Sequence, residues 1–168
     1  MPLLPSSSSP AGTYRPHSLA GRSRHFFVEG KLEVFDLTLK NGNPSSSWCG
    51  GSLKFGSATE AVDSDSNFRN VRFEGNAANG CGGAVDAMIA AGRVAKFTNA
   101  YFLNNECRSC GSGRDALGGA IKTRSIGTVV LDGCMCDGNM PNNFHPRNAI
   151  PHMPFMLGYS ICENAARV

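Results

Sequence analysis

The chain has 168 residues, about the length of one domain, with 20 Gly, 7 Cys and a formal net charge of +3. That charge is too small, and its Lys and Arg too scattered, to argue for nucleic acid or a membrane surface as a partner. No apolar run approaches the ~18 residues of a membrane-spanning helix, so none is expected.

Residues 1–24 read as a disordered leader, since Pro2, Pro5, Pro10 and Pro16 discourage regular structure among many serines. The opening lacks both a basic start and a long apolar run, so it does not read as a signal peptide. Residues 25–139 then carry a segment that recurs four times. Its copies align as Val34-Phe35-Asp36-Leu37-Thr38-Leu39, Phe68-Arg69-Asn70-Val71-Arg72-Phe73, Phe97-Thr98-Asn99-Ala100-Tyr101-Phe102 and Leu131-Asp132-Gly133-Cys134-Met135-Cys136. The centres Asp36, Asn70, Asn99 and Gly133 stand 34, 29 and 34 residues apart (70 − 36, 99 − 70, 133 − 99). A period of that size marks a solenoid, propeller or array.

Within each copy the apolar residues alternate with period two, the signature of strands. Leu32 and Val34, Phe68, Ala95 and Phe97, and Val129 and Leu131 fall on one face before the centre, where Ser66 is the polar exception. After it the face is held by Leu37 and Leu39, Val71 and Phe73, Ala100 and Phe102, and Cys134 and Cys136. The phase slips by one residue at the centre, which predicts two short strands meeting at a bend, with Asp36, Asn70 and Asn99 forming a hydrogen-bonded ladder along the bends. A turn follows in each copy, at Asn41-Gly42-Asn43, Gly75-Asn76, Asn104-Asn105 and Gly138-Asn139. Three copies show a further strand after a Gly-Gly pair, Cys49-Gly50-Gly51-Ser52-Leu53, Cys81-Gly82-Gly83-Ala84-Val85 and Leu117-Gly118-Gly119-Ala120-Ile121. There Leu53, Phe55, Val85, Ala87, Ile121 and Thr123 are expected to face inward. Lys54, Asp86 and Lys122 are expected to stack outward as a solvated charge ladder that supports register.

Three short strands per repeat, each stacking on its counterpart in the next, describe an all-β, single-stranded parallel β-helix of about four coils. The F-x-N element at Phe97-Thr98-Asn99 and the G-G-A-I element at Gly118-Gly119-Ala120-Ile121 resemble polymorphic outer-membrane protein repeats and related right-handed, pectin-lyase-like β-helix surface proteins. The resemblance covers roughly residues 26–139. It implies a non-enzymatic cell-surface or secreted module that serves adhesion or binding, with a protein or glycan ligand and no cofactor.

The cysteines admit several readings. Cys49 and Cys81 precede the Gly-Gly pairs of neighbouring coils, which places them about one strand spacing apart, ~4.8 Å. That lies within the Cα range of a disulfide, so they are a candidate bridge. Cys107-Arg108-Ser109-Cys110 is a C-x-x-C whose readings are a loop-pinning disulfide, thiols, half a zinc site or a redox pair. It opens a loop where a redox pair wants a helix. Cys134 and Cys136 occupy inward slots and read as small buried hydrophobes.

The same fold hosts polysaccharide lyases and hydrolases, so a carbohydrate-active enzyme, lacking its catalytic coils in this chain, is the alternative. The acids Asp63, Asp65, Asp86 and Asp115 are dispersed, and the paired acids, Gly-His-Gly and Arg-x-Lys expected of such a hydrolase do not occur. One Asp between two Lys is a poor calcium site. His17, His25, His145 and His152 all fall outside the repeats or at their edge. Residues 140–168 read as an irregular tail punctuated by Pro141, Pro146, Pro151 and Pro154, with Leu157-Gly158-Tyr159-Ser160-Ile161 as the echo of a partial further coil. With no polar cap evident at that end, the chain is expected to be a piece of a longer protein.

Overall fold

The computed structural model describes residues 23–44, 49–57, 59–108, 118–123 and 127–140, and the backbone of 144–146. The leader before residue 23, Cys110 and Asp115, and the 157–161 echo lie outside the described residues.

Among the described residues every regular element is a strand, and every pairing between them is parallel. The chain visits four sheets in turn and then returns to the first. Its first sheet runs β1 (Phe26–Val28), β4 (Leu53–Phe55), β8 (Val85–Ala87), β12 (Ile121–Thr123) and β15 (Phe144–Pro146). The second runs β2 (Glu33–Phe35), β5 (Ser66–Arg69), β9 (Val94–Thr98) and β13 (Thr128–Asp132), and the third β3 (Thr38–Lys40), β6 (Arg72–Glu74), β10 (Tyr101–Leu103) and β14 (Met135–Asp137). A short fourth sheet joins β7 (Ala77–Ala78) to β11 (Glu106–Cys107), and the bridge from Glu106 to Met140 continues it. The architecture is therefore all-β with parallel strands in stacked sheets, compatible with a parallel β-helix.

The phase slip at each centre has a backbone cause. Asp36, Asn70, Asn99 and Gly133 all adopt positive φ, between 50° and 62°, so a single left-handed residue swings the chain from the second sheet to the third. Asn and Asp tolerate that conformation better than other side chains. A second left-handed column, Asn41, Gly75, Asn104 and Gly138, turns the chain out of the third sheet. Ahead of the first sheet stands a close approach that only glycine permits. A Cβ on Gly83 would overlap the carbonyl oxygen of Gly119 and the backbone of Glu106, and Gly51 stands in the same relation to Gly83 and Ala77.

These bends aim the alternating apolar residues at one interior. Phe68 stacks on Phe97 with centroids 4.6 Å apart, and Phe73 on Phe102 at 4.9 Å. Edge-on contacts of Phe97 with Phe73 and Phe102 join the two stacks. Leu53, Phe55, Val85, Ala87 and Ile121 close the interior from the first sheet, all fully buried, whereas Thr123 is half-buried. Val129 and Leu131 are only partly buried because β13 is the end strand of its sheet.

Hydrogen bonds and strand pairing reach both ends of the described chain. Ser23 and Arg24, assigned to the disordered leader, are tied down: the Asn43 amide donates to the Ser23 carbonyl at 3.1 Å, and Arg24 donates to two carbonyls. At the other end, Phe144–Pro146 falls in the segment read as irregular yet pairs with β12. Pro146 lacks an amide to give the ladder, which suits it to the end strand it occupies.

Candidate functional site

The polar residues that recur in the repeat sort into an interior ladder and a cluster at the corner that leads into the first sheet. Asn76, Asn105 and Asn139 stack in the interior, one per pass of the chain. The Asn105 Oδ1 accepts from the backbone amide and the side-chain amide of Asn76, at 3.0 and 2.9 Å. Asn105 repeats the arrangement with Asn139, at 2.9 and 2.8 Å. Each Nδ2 also donates to a carbonyl of the strand that precedes the turn one pass earlier, that of Leu39, Phe73 or Phe102. Gly42, at the equivalent place in the first pass, donates its amide to Asn76 Oδ1.

The expected bend residues Asp36, Asn70 and Asn99 form a separate column at exposed bends. There Asn70 Nδ2 donates to Asp36 Oδ1 at 2.7 Å, and Asn99 Oδ1 lies over Gly133. The buried ladder was missed because its asparagines were read as turn residues. Their signal was a constant offset of six from each centre (76 − 70, 105 − 99, 139 − 133).

The corner cluster begins with Arg24, which donates through Nε to the Gly50 carbonyl at 2.7 Å and through Nη2 to the Cys49 carbonyl at 2.6 Å. Partial burial pulls its guanidinium below the ordinary arginine value, while Asp86 and Cys49 act in the opposite direction. The next residue, His25, has Nδ1 2.8 Å from Ser52 Oγ. Desolvation lowers the pKa of this imidazole, against a hydrogen bond to the Lys40 backbone that raises it. Cys49 and Cys81 pair as a parallel bridge at the same corner, both buried, with sulfurs 2.9 Å apart.

On the outer face of the first sheet, Phe27, Lys54, Asp86 and Lys122 are in register on successive strands, and the backbone register continues to His145. Lys54 Nζ lies 5.9 Å from the centre of the Phe27 ring. The solvated charge ladder expected there needs correction: Lys54 is half-buried, Asp86 is 1% exposed and Lys122 5%. Alternation fixes which side of a sheet a residue takes and leaves open what crosses that side, and Arg24 reaches this face to interact with Asp86. Asp86 is thus a buried carboxylate among three cations, in register with Lys54 and Lys122 and within electrostatic reach of Arg24. Ser52, the partner of His25, is fully buried.

The remaining cysteines divide. Cys107 is disulfide-bonded, and so is Cys136, which corrects its reading as a mere apolar filler; Cys110 lies outside the described residues. Cys134 is buried with its sulfur 3.3 Å from the Phe97 carbonyl, and burial raises its thiol pKa. No group of three or more His, Cys, Asp or Glu suited to a metal ion occurs among the described residues. No protein-family model, curated protein or solved structure matches the chain.

Proposed function

We propose that the chain is a right-handed, single-stranded parallel β-helix of about four coils, with repeats of the polymorphic outer-membrane protein type, serving as a non-enzymatic adhesion or binding module. The observation that carries this reading is the engagement of the repeat's recurring polar residues by the backbone itself. Asn76, Asn105 and Asn139 are buried against neighbouring carbonyls and amides, so the repeat serves to extend a rigid stack. Its flat outer faces are then the parts that meet a protein or glycan. The disulfide-bonded Cys107 and Cys136 support a cell-surface or secreted setting, where such bonds persist.

The test presents the purified chain to immobilised glycans and to polygalacturonate in solution. The reading predicts saturable retention on a ligand without the appearance of new reducing ends. Cleavage of the polysaccharide that disappears in Asp86→Asn would replace it with the carbohydrate-active enzyme of the same fold.

A further inference from the structure

We infer that Cys49 and Cys81 are a redox-closable cross-link between successive passes of the chain, formed by thiol–disulfide exchange with a small-molecule disulfide of the glutathione class. Three observations place the two groups for it. Their residues are direct partners in a parallel bridge, and adjacent strands stand ~4.8 Å apart, inside the Cα separations that disulfides accept. Their sulfurs are 2.9 Å apart, about 0.9 Å beyond the ~2.05 Å of an S–S bond, so closure needs a small side-chain adjustment and no backbone rearrangement. The two amides that follow Cys49 continue the pairing, with Gly50 N donating to Cys81 O at 2.9 Å and Gly51 N to Gly82 O at 3.3 Å, which holds the two cysteines in register.

The separation also argues against a metal chelate. Two thiolates on one tetrahedral ion, with metal–sulfur bonds of ~2.3 Å, stand about 3.8 Å apart. The pair is closer than that by nearly an ångström.

The reaction balances as two exchanges. The Cys49 thiolate, with the Arg24 guanidinium against its own carbonyl, attacks one sulfur of the external disulfide, forms a mixed disulfide and expels one thiolate. The Cys81 thiolate then attacks the Cys49 sulfur and expels the second. Two protons leave the protein, two electrons pass to the external disulfide, and it is released as two thiols. Cys49 and Cys81 are only 5% and 8% exposed, so exchange waits on local opening of the corner and is slow compared with that of an exposed thiol.

The test equilibrates the full chain in glutathione buffers of increasing oxidised fraction, quenches with an alkylating agent and maps tryptic peptides without reduction. Cys49 and Cys81 fall in the separate peptides 41–54 and 73–93. The inference predicts that these two become linked to each other as the buffer oxidises, with the loss of two hydrogens, and part again on reduction. Alkylation of both peptides in the most oxidising buffer would overturn it, and so would a link from either to another cysteine peptide. In Cys81→Ser, checked for strand content by circular dichroism, Cys49 should be recovered alkylated or glutathionylated; a Cys49 that stays bridged to a third cysteine there contradicts the pairing. The wild-type map decides the question if that variant does not fold.

Discussion

Asn105 sits between Asn76 and Asn139 with its side-chain oxygen and nitrogen both engaged, in an interior where an amide left without partners costs about 1 to 3 kcal/mol. Asn105→Ala removes the acceptor of two Asn76 donors at once and leaves the Phe73 carbonyl short of a donor. It should therefore lower unfolding stability by about 3 kcal/mol or more in urea titration. Asn70→Gly breaks one exposed bond to Asp36 while keeping a residue that adopts the left-handed φ freely, and should cost under about 1.5 kcal/mol; equal losses would remove the distinction between the two ladders. The sequence made the bends readable, since a one-residue phase slip has few backbone causes. It hid the buried ladder, because an asparagine that follows a left-handed residue has the composition of an ordinary turn. His25 carries a pH dependence of definite sign. Its folded pKa is depressed, so below its unfolded value of about 6.5 the unfolded chain takes up the extra proton. Its contribution is complete above that pH and is lost as the pH falls toward the folded value. His25→Gln should flatten the decline in urea midpoint between about pH 7 and pH 5, and an unchanged slope would show that other groups set it.

At the scale of elements, the strands are short and their register depends on how closely the passes can approach. Gly83→Ala forces a Cβ onto the Gly119 carbonyl and the Glu106 backbone, which cannot yield without parting the first and fourth sheets. The loss should reach several kcal/mol, the range of strongly overpacked sites. Gly30→Ala meets nothing within 4 Å and has no left-handed φ, so it should be neutral or slightly stabilising through the unfolded chain. Thermal melts of the two variants compare them directly, and similar midpoints would contradict the close approach. The strands of the second and third sheets were legible as period-two alternation around Phe68, Phe73, Phe97 and Phe102, and β4, β8 and β12 as the apolar alternation that follows each Gly-Gly pair. The two-residue strands β7 and β11 were not, because Ala77–Ala78 and Glu106–Cys107 are too short to show a period. β15 was obscured by Pro146, which as an end-strand residue does no harm to the ladder.

Across the whole molecule, the described chain joins an apolar interior to a buried ion cluster on the outside of the first sheet. Asp86→Ala leaves Arg24, itself partly buried, without that carboxylate and should cost about 3 kcal/mol or more. Asp63→Ala, which loses an exposed partner of Arg93, should leave the unfolding midpoint unchanged; a ranking the other way round would place the cluster in solvent. The sequence assigned Asp86 and Lys122 to the outer side of their strands, and it could not reveal their burial, which depends on residues distant in the chain such as Arg24. The central claim is that successive passes stack in parallel and in register. Its most direct measurement is the set of nuclear Overhauser contacts between backbone amide and α protons of β6, β10 and β14. Parallel stacking predicts cross-peaks that tie the Phe102 region to that of Phe73 on one side and Cys136 on the other, advancing together along all three strands. Cross-peaks that run in opposite directions along any two of these strands, or that join them one residue out of step, would contradict it.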